Sequence, residues 1–244
     1  LVLAQNIYEA GTKIEEYKRI VDVRKNENTR WLPCAEVKGE GILLVFRNEV
    51  LEEWTQMLGS ISDQIQNRSN LLSKNYKSNL KKFDPNLTDD DIKDISPRYI
   101  LLHTLSHLLI NAISKESGYN TASLSEIIYC NEDNTSGEKM NGILIYTSTT
   151  DAEGSLGGLV QMGSQENLQR MFKQAIENAR WCSSDPICIE TESGQGFMGV
   201  NLASCYACSM VPETTCENMN RFLDRGLIIG TIGEPELGFF NKFY

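Results

Sequence analysis

The chain lacks any apolar run long enough to cross a membrane, which excludes a helical membrane protein. It also lacks a phosphate-binding loop, a dinucleotide fingerprint, a serine nucleophile elbow and a recognisable pair of catalytic carboxylates. Each absence removes a class: nucleotide-driven motors, nicotinamide enzymes, serine hydrolases and glycosidases. Histidine is scarce, with only His103 and His107. Repeats and low-complexity tracts are missing, so solenoids and arrays are excluded. Positive charge is in deficit, because the formal net charge is −10. That balance argues against a protein that coats nucleic acid, since phosphate neutralisation requires Lys and Arg. What remains is ordinary globular composition, 41% hydrophobic and 23% charged over 244 residues, enough for one large domain or two small ones.

The opening residues, "LVLAQNIYEAGTKIEEYKRIV", place acids where a secretory signal needs an apolar core, and no initiator Met is present. The expectation is a fragment or processed product from a reducing, cytoplasmic setting, without a membrane partner. One basic stripe interrupts the acidic background. Residues 67–83, "NRSNLLSKNYKSNLKKF", hold five basic side chains and no acid. On a helix, Lys74, Lys77 and Lys81 share a side that is able to track a phosphate backbone, with Arg68 and Lys82 extending it. The competing expectation is a solvated helix face.

Periodicity and turn chemistry predict an α+β fold: a helix-rich domain with a small sheet and a C-terminal structural zinc site. "GEGILLVF" at 39–46 reads as a buried strand. Residues 48–80 read as one long helix or two, with Val50, Leu51, Trp54, Leu58, Ile61 and Ile65 at helical spacing. "FDPNLTDDDIKDIS" at 83–96 is an acidic connection. "SPRYILLHTLSHLLINAISKESGY" is the strongest helix, with Ser96 as N-cap, Pro97 at the first position and Gly118 at the stop. "ASLSEIIYC" and "ILIYTSTT" read as strands around a polar loop, the first opened by a short helical turn. "SQENLQRMFKQAIENARWC" reads as an amphipathic helix, and "TTCENMNRFLDRGLI" as a last helix. The expected boundary separates 1–95, a strand and long-helix segment, from 96–244.

Five of the seven cysteines fall between 182 and 216, in "CSSDPIC" and "CYACSMVPETTC". Two thiolates in a C-x2-C knuckle can grip one Zn²⁺ while turn amides point at the sulfurs. A redox pair would open a helix after a strand, and this pair sits between loops. A structural Zn²⁺ is therefore expected, with four cysteine ligands drawn from five. Cys188 follows a "DP" turn that can bend toward a metal, so the expected ligands are Cys188, Cys205, Cys208 and Cys216, with Cys182 in reserve. Cys34 and Cys130 are expected to be small buried hydrophobes.

"HTLSH" puts His103 and His107 one turn apart on one helix face. Zincins use that spacing with Glu after the first His, but Thr104 stands there. A structural role is expected; the alternative is a metal-dependent hydrolase or nuclease using His103, His107 and Asp151. "DAEGSLGG", carrying Asp151, Glu153, Gly154, Gly157 and Gly158, reads as a tight turn with close backbone approach.

"WLPCAEVKGEGILLVF", "LLHTLSHLLI", "GILIYTSTTDAEGSLGGLV", "ARWCSSDPIC" and "CYACSMVPETTCENMNRFLDRGLI" occur in that order. Over about residues 31–227 the chain thereby resembles the C-terminal half of the B subunit of DISARM anti-phage defence systems (DrmB), which carries the MrfA-type zinc-binding domain. The resemblance implies that 96–244 is this domain and that the chain is a zinc-binding, non-catalytic partner subunit. It implies one structural Zn²⁺, a helicase-like partner that supplies the ATPase, and DNA contacted directly or through that partner. The family pattern maps onto Cys188, Cys205, Cys208 and Cys216, with Cys182 also matching. Helicase relatives place the upstream ligand closer to the knuckle than Cys188 stands here, so Cys182 and Cys188 both remain open.

Overall fold

The structure is a computed structural model that describes residues 2–6, 18–22, 39–57, 59–131, 139–147 and 157–241. The chain divides into two compact units, Leu1–Lys38 and Gly39–Tyr244. In the first, strand β1 (Val2–Asn6) pairs antiparallel with β2 (Lys18–Asp22), with Ala4 opposite Ile20.

The second unit begins at Gly39, and its sheet joins a strand before residue 96 to two strands after it. Strand β3 (Gly41–Val45) pairs antiparallel with β5 (Met140–Thr147), which pairs in turn with β4 (Leu124–Asn131), giving the order β3-β5-β4. The long helical stretch is two helices, α1 (Asn48–Thr55) and α2 (Ser60–Phe83). Gly59, with φ 87°, separates them in a left-handed conformation that glycine adopts without a Cβ penalty.

Helix α3 (Pro97–Ser117) is the central element. The Ser96 hydroxyl accepts a hydrogen bond from the Tyr99 amide at 3.2 Å, Pro97 occupies the first turn, and Gly118 closes the helix at φ 75°. These caps satisfy groups the helix leaves orphaned. Fifteen of its residues are buried, so no face is reserved for water. It packs against α1, α2, the sheet strands β4 and β5, and three further helices: α4 (Gly158–Met162), α5 (Gln165–Ala179) and α6 (Gly226–Ile229). Helix α5 buries Met171, Ala175, Ile176 and Ala179, one stripe at helical spacing. Among the described residues, no helix is long and apolar enough to cross a membrane.

Residues 180–225 form turns, isolated bridges and a short 3-10 turn at Phe197–Gly199 rather than long regular elements. The helix expected over 214–228 shrinks to α6. Met219, Asn220 and Phe222 have φ of 50°, 56° and 66°, incompatible with a right-handed helix. Asn220 explains the choice: its carboxamide accepts from the Val211 amide at 3.0 Å and donates to the Val211 carbonyl at 2.7 Å. That side chain offers the backbone an alternative to the helical ladder.

Of the "DAEGSLGG" segment, residues 151–156, including Asp151, Glu153 and Gly154, lie outside the described residues. Gly157, with φ 120°, opens α4, and a Cβ on Gly158 would stand 2.6 Å from the Tyr119 hydroxyl. Close approach is thus real at Gly158. It serves buried Glu40, whose carboxylate accepts from Tyr119 Oη at 2.7 Å and from the amides of Gly157, Leu159 and Val160 at 2.8, 3.0 and 3.1 Å. Burial pushes the Glu40 carboxyl up, but these donors, Leu159 and Tyr119 foremost, outweigh it and hold it below the ordinary range. A depressed carboxyl stabilises the fold above its unfolded value of 4.5 and loses that contribution as pH falls through the folded value. Glu40→Gln should therefore destabilise by about 1–3 kcal/mol at neutral pH, the cost of donors left short of a charged acceptor. The gap from wild type should close below about pH 4.5. Urea titrations of both proteins across pH check this; a gap that is constant with pH contradicts it.

Candidate metal centre

Helix α5 ends at Ala179, and the chain turns back at once. Asp185 organises the turn, accepting from the Cys182 amide at 2.9 Å and the Ile189 amide at 3.1 Å. This brings Cys182 and Cys188 to one side. Opposite them, Cys205 and Cys208 form the knuckle: the amides of Cys208, Ser209 and Met210 all fold back onto the Cys205 carbonyl. The four sulfurs lie within 4.8 Å of one another. Cys182 and Cys205 are separated by 3.5 Å and Cys205 and Cys208 by 3.7 Å. A disulfide requires about 2.05 Å, whereas a tetrahedron of thiolates on Zn²⁺ with bonds near 2.3 Å has edges of about 3.8 Å. The spacing fits the metal.

The surroundings fit it as well. The Ser184 amide points at Cys182 Sγ (3.4 Å), the Cys205 amide at Cys208 Sγ (3.2 Å), and Gln195 Nε2 at Cys188 Sγ (3.5 Å). Four thiolates on a dication leave two negative charges, and the fully buried Arg225 guanidinium sits beside them. It is anchored to Asp185 (2.6 Å) and to the carbonyls of Ala179 (2.8 Å) and Ala203 (3.2 Å). Its cation matters to the free thiols too. A hydrogen bond from Cys188, with help from Arg225, holds the Cys208 thiol down at about 5, while the shared proton and burial push Cys188 up. Cys182, Cys188, Cys205 and Cys208 could thus hold one tetrahedral Zn²⁺ with no position open to water.

Cys182 therefore stands in the place expected for Cys216. The reason is direction. Cys216 lies on a loop whose preceding residue is tied to β4, where the Glu126 amide donates to the Thr215 carbonyl at 3.2 Å. This turns Cys216 Sγ toward α3, 3.1 Å from His103 Nε2. His103, His107, Glu126 and Cys216 form a second cluster, all four buried, with ligand atoms within 4.8 Å of one another. Burial works against charge on His103, but the Glu126 carboxylate and Cys216 raise it to about 10. Burial would raise Glu126 and Cys216; the two imidazoles instead lower both, Cys216 to about 7. Thr104, standing where a zincin has its base, donates to the Ile100 carbonyl (2.7 Å) and accepts from the Asp224 amide (2.8 Å). The hydrolase alternative required an open metal position at His103 and His107, and these side chains are 0% exposed; its third residue, Asp151, is outside the described residues.

Glu126, Asp185 and Arg225 were not singled out from the sequence. Glu126 had a signal: in β4 it shares a face with Leu124, so a carboxylate was directed into the core. Cys34 is outside the described residues, and Cys130 is half-buried, 3.9 Å from the Ser96 hydroxyl.

The basic stripe is compensated. Lys77 pairs with Asp94 at 2.7 Å and Lys81 with Asp89 at 2.8 Å, both from the acidic connection. Arg68 does not extend the stripe but grips buried Asp224 with two hydrogen bonds of 2.6 and 2.8 Å. Lys74 and Lys82 are exposed.

Cobalt(II) separates the cysteine assignments. Cys182→Ser should weaken metal binding at the thiolate-rich site by more than about 100-fold, beyond the loss of an outer-shell contact. Cys216→Ser should preserve that site's thiolate-to-cobalt absorption. A full tetrathiolate spectrum in Cys182→Ser contradicts the assignment.

The MrfA Zn-binding domain matches residues 105–209, a segment that holds all four cysteines of the first cluster but only His107 and Glu126 of the second. The DISARM protein DrmB of Bacillus paralicheniformis is 40% identical over 228 residues, 93% of this chain and 38% of that relative. The chain therefore spans well under half of the relative's length, and over that span it is a DrmB-like protein that carries an MrfA Zn-binding domain.

Proposed function

We propose that this chain is a non-catalytic, zinc-stapled binding module of a DISARM-type anti-phage assembly, acting beside a helicase-like subunit and contacting DNA directly or through it. The observation that carries this reading is the closed four-thiol cluster and what surrounds it. A zinc held by Cys182, Cys188, Cys205 and Cys208 has no vacant position for water or substrate, so its contribution is structural. Trp181, Ile187 and Tyr206, each next to one of these cysteines in sequence, are 71%, 83% and 83% exposed. Large exposed apolar side chains on a rigid scaffold suit a partner surface. The DISARM relative and the absence of a phosphate-binding loop support a division of labour in which another subunit supplies ATP hydrolysis. Lys74, Lys77 and Lys81 remain the proposed DNA contact, although the pairing of Lys77 and Lys81 leaves little charge there for phosphate.

Co-expression with the helicase-like subunit of the same system tests the reading. The two should purify together. Ile187→Ser combined with Tyr206→Ala should weaken capture at least tenfold, a loss of about 1.4 kcal/mol, while zinc content stays at the wild-type level. Undiminished capture in the double variant dismisses this surface. Metal-dependent phosphodiester hydrolysis by the purified chain, lost in His107→Ala, replaces the reading with the enzymatic one.

A further inference from the structure

We propose that His103, His107, Glu126 and Cys216 form a second, structural Zn²⁺ site buried in the core of the domain. The donors come from three separate pieces of chain: α3 supplies both histidines, β4 supplies Glu126, and the loop after the knuckle supplies Cys216. His103 Nε2 stands 2.9 Å from Glu126 Oε1 and 3.1 Å from Cys216 Sγ; His107 Nε2 stands 3.1 Å from Glu126 Oε1. These separations are a few tenths of an ångström below the edges of about 3.3–3.6 Å in a tetrahedron built on Zn–N, Zn–O and Zn–S bonds.

Each ligand but one is oriented from outside the cluster. His107 Nδ1 is 3.0 Å from the Ser209 carbonyl, which only accepts, so Nδ1 carries a proton. In the neutral ring, Nε2 then aims a lone pair at the Glu126 carboxylate, an arrangement that repels unless a cation lies between them. Glu126 Oε2 accepts from the Ser106 hydroxyl, which leaves Oε1 for the centre. Cys216 Sγ accepts from the amides of Asn218 (3.3 Å) and Asn220 (3.2 Å), the partners a thiolate takes up beside a metal. The exception is His103, whose Nδ1 has no partner among the described residues.

Charge and chemistry select the ion. One carboxylate and one thiolate neutralise a divalent cation, and a neutral centre suits a place fully withdrawn from water. Two imidazoles, a carboxylate and a single thiolate form a borderline-soft tetrahedral set, which Zn²⁺ accepts. Without an ion, the same groups have to be held together by protons on buried imidazoles, with the desolvation cost of buried charge. The two sites share a segment: Ser209, next to ligand Cys208, orients His107, and the chain then runs on to Cys216. Residues 205–216 are thereby fixed at both ends, by one metal to the turn after α5 and by the other to α3 and β4.

The chain purified without chelators should contain two zinc ions. X-ray absorption at the zinc edge should show a first shell mixed in sulfur and nitrogen or oxygen, rather than sulfur alone. Cys182→Ser/Cys205→Ser should retain one zinc, with a shell dominated by nitrogen and oxygen, and Cys216→Ser should retain one with a sulfur-only shell. A wild-type chain with one zinc and a sulfur-only shell overturns the proposal without recourse to variants. So does a folded Cys216→Ser or Glu126→Gln protein that keeps both ions. The proposal does not depend on the partner-binding reading, which the capture experiment tests separately.

Discussion

The stretch between α5 and α6 depends on sulfur. Residues 180–225 contain neither a long helix nor a ladder, so their backbone groups lack the partners that secondary structure supplies. Cysteines fill that role twice over: their sulfurs accept amides from Ser184, Cys205, Asn218 and Asn220, and they converge from distant positions onto common centres. Side chains complete the accounting. Asp185 caps one turn, Asn220 clamps Val211, and Arg225 ties the end of α5 to the knuckle. A metal bound there would add folding energy to what the segment gains from burial.

The regular half of the domain works by different means. Helix α3 is held by core packing on every side, and its buried polar residues Arg98, His103, Thr104, Ser106 and His107 each meet a partner from another element. Thr104 binds the Asp224 amide, Asp224 binds Arg68 on α2, and Glu126 on β4 meets both histidines. Buried polar groups are costly unless satisfied, so this network fixes how the irregular segment seats on α3. The irregular segment leaves Trp181, Ile187 and Tyr206 exposed.

How much of this was legible in the sequence varies with the range of the interaction. Local chemistry read well: the cap at Ser96, Pro97 and Gly118, the amphipathic stripe of α5, and the C-x2-C knuckle depend only on near neighbours. The choice between Cys182 and Cys216 depends on which way two loops turn: Asp185 sets the first through its near neighbours Cys182 and Ile189, but the second is set by the link from Glu126 to Thr215, residues far apart in the chain. The helix expected around Cys216 failed because a single Asn side chain outcompeted it. The lysine stripe was visible, and so were its counterions, since Asp89 and Asp94 lie in the acidic stretch that follows; what no pattern of spacing showed is that the stretch folds back onto α2.

Metal coordination, added to the burial of Val200, Leu202, Val211 and Phe222, is proposed to hold residues 182–223 in place. Hydrogen exchange of the folded chain, before and after metal is removed by a chelator, tests it most directly. Amides in 182–223 should lose protection on metal removal while those of α3 keep theirs. Unchanged protection across 182–223 in metal-free protein would contradict it.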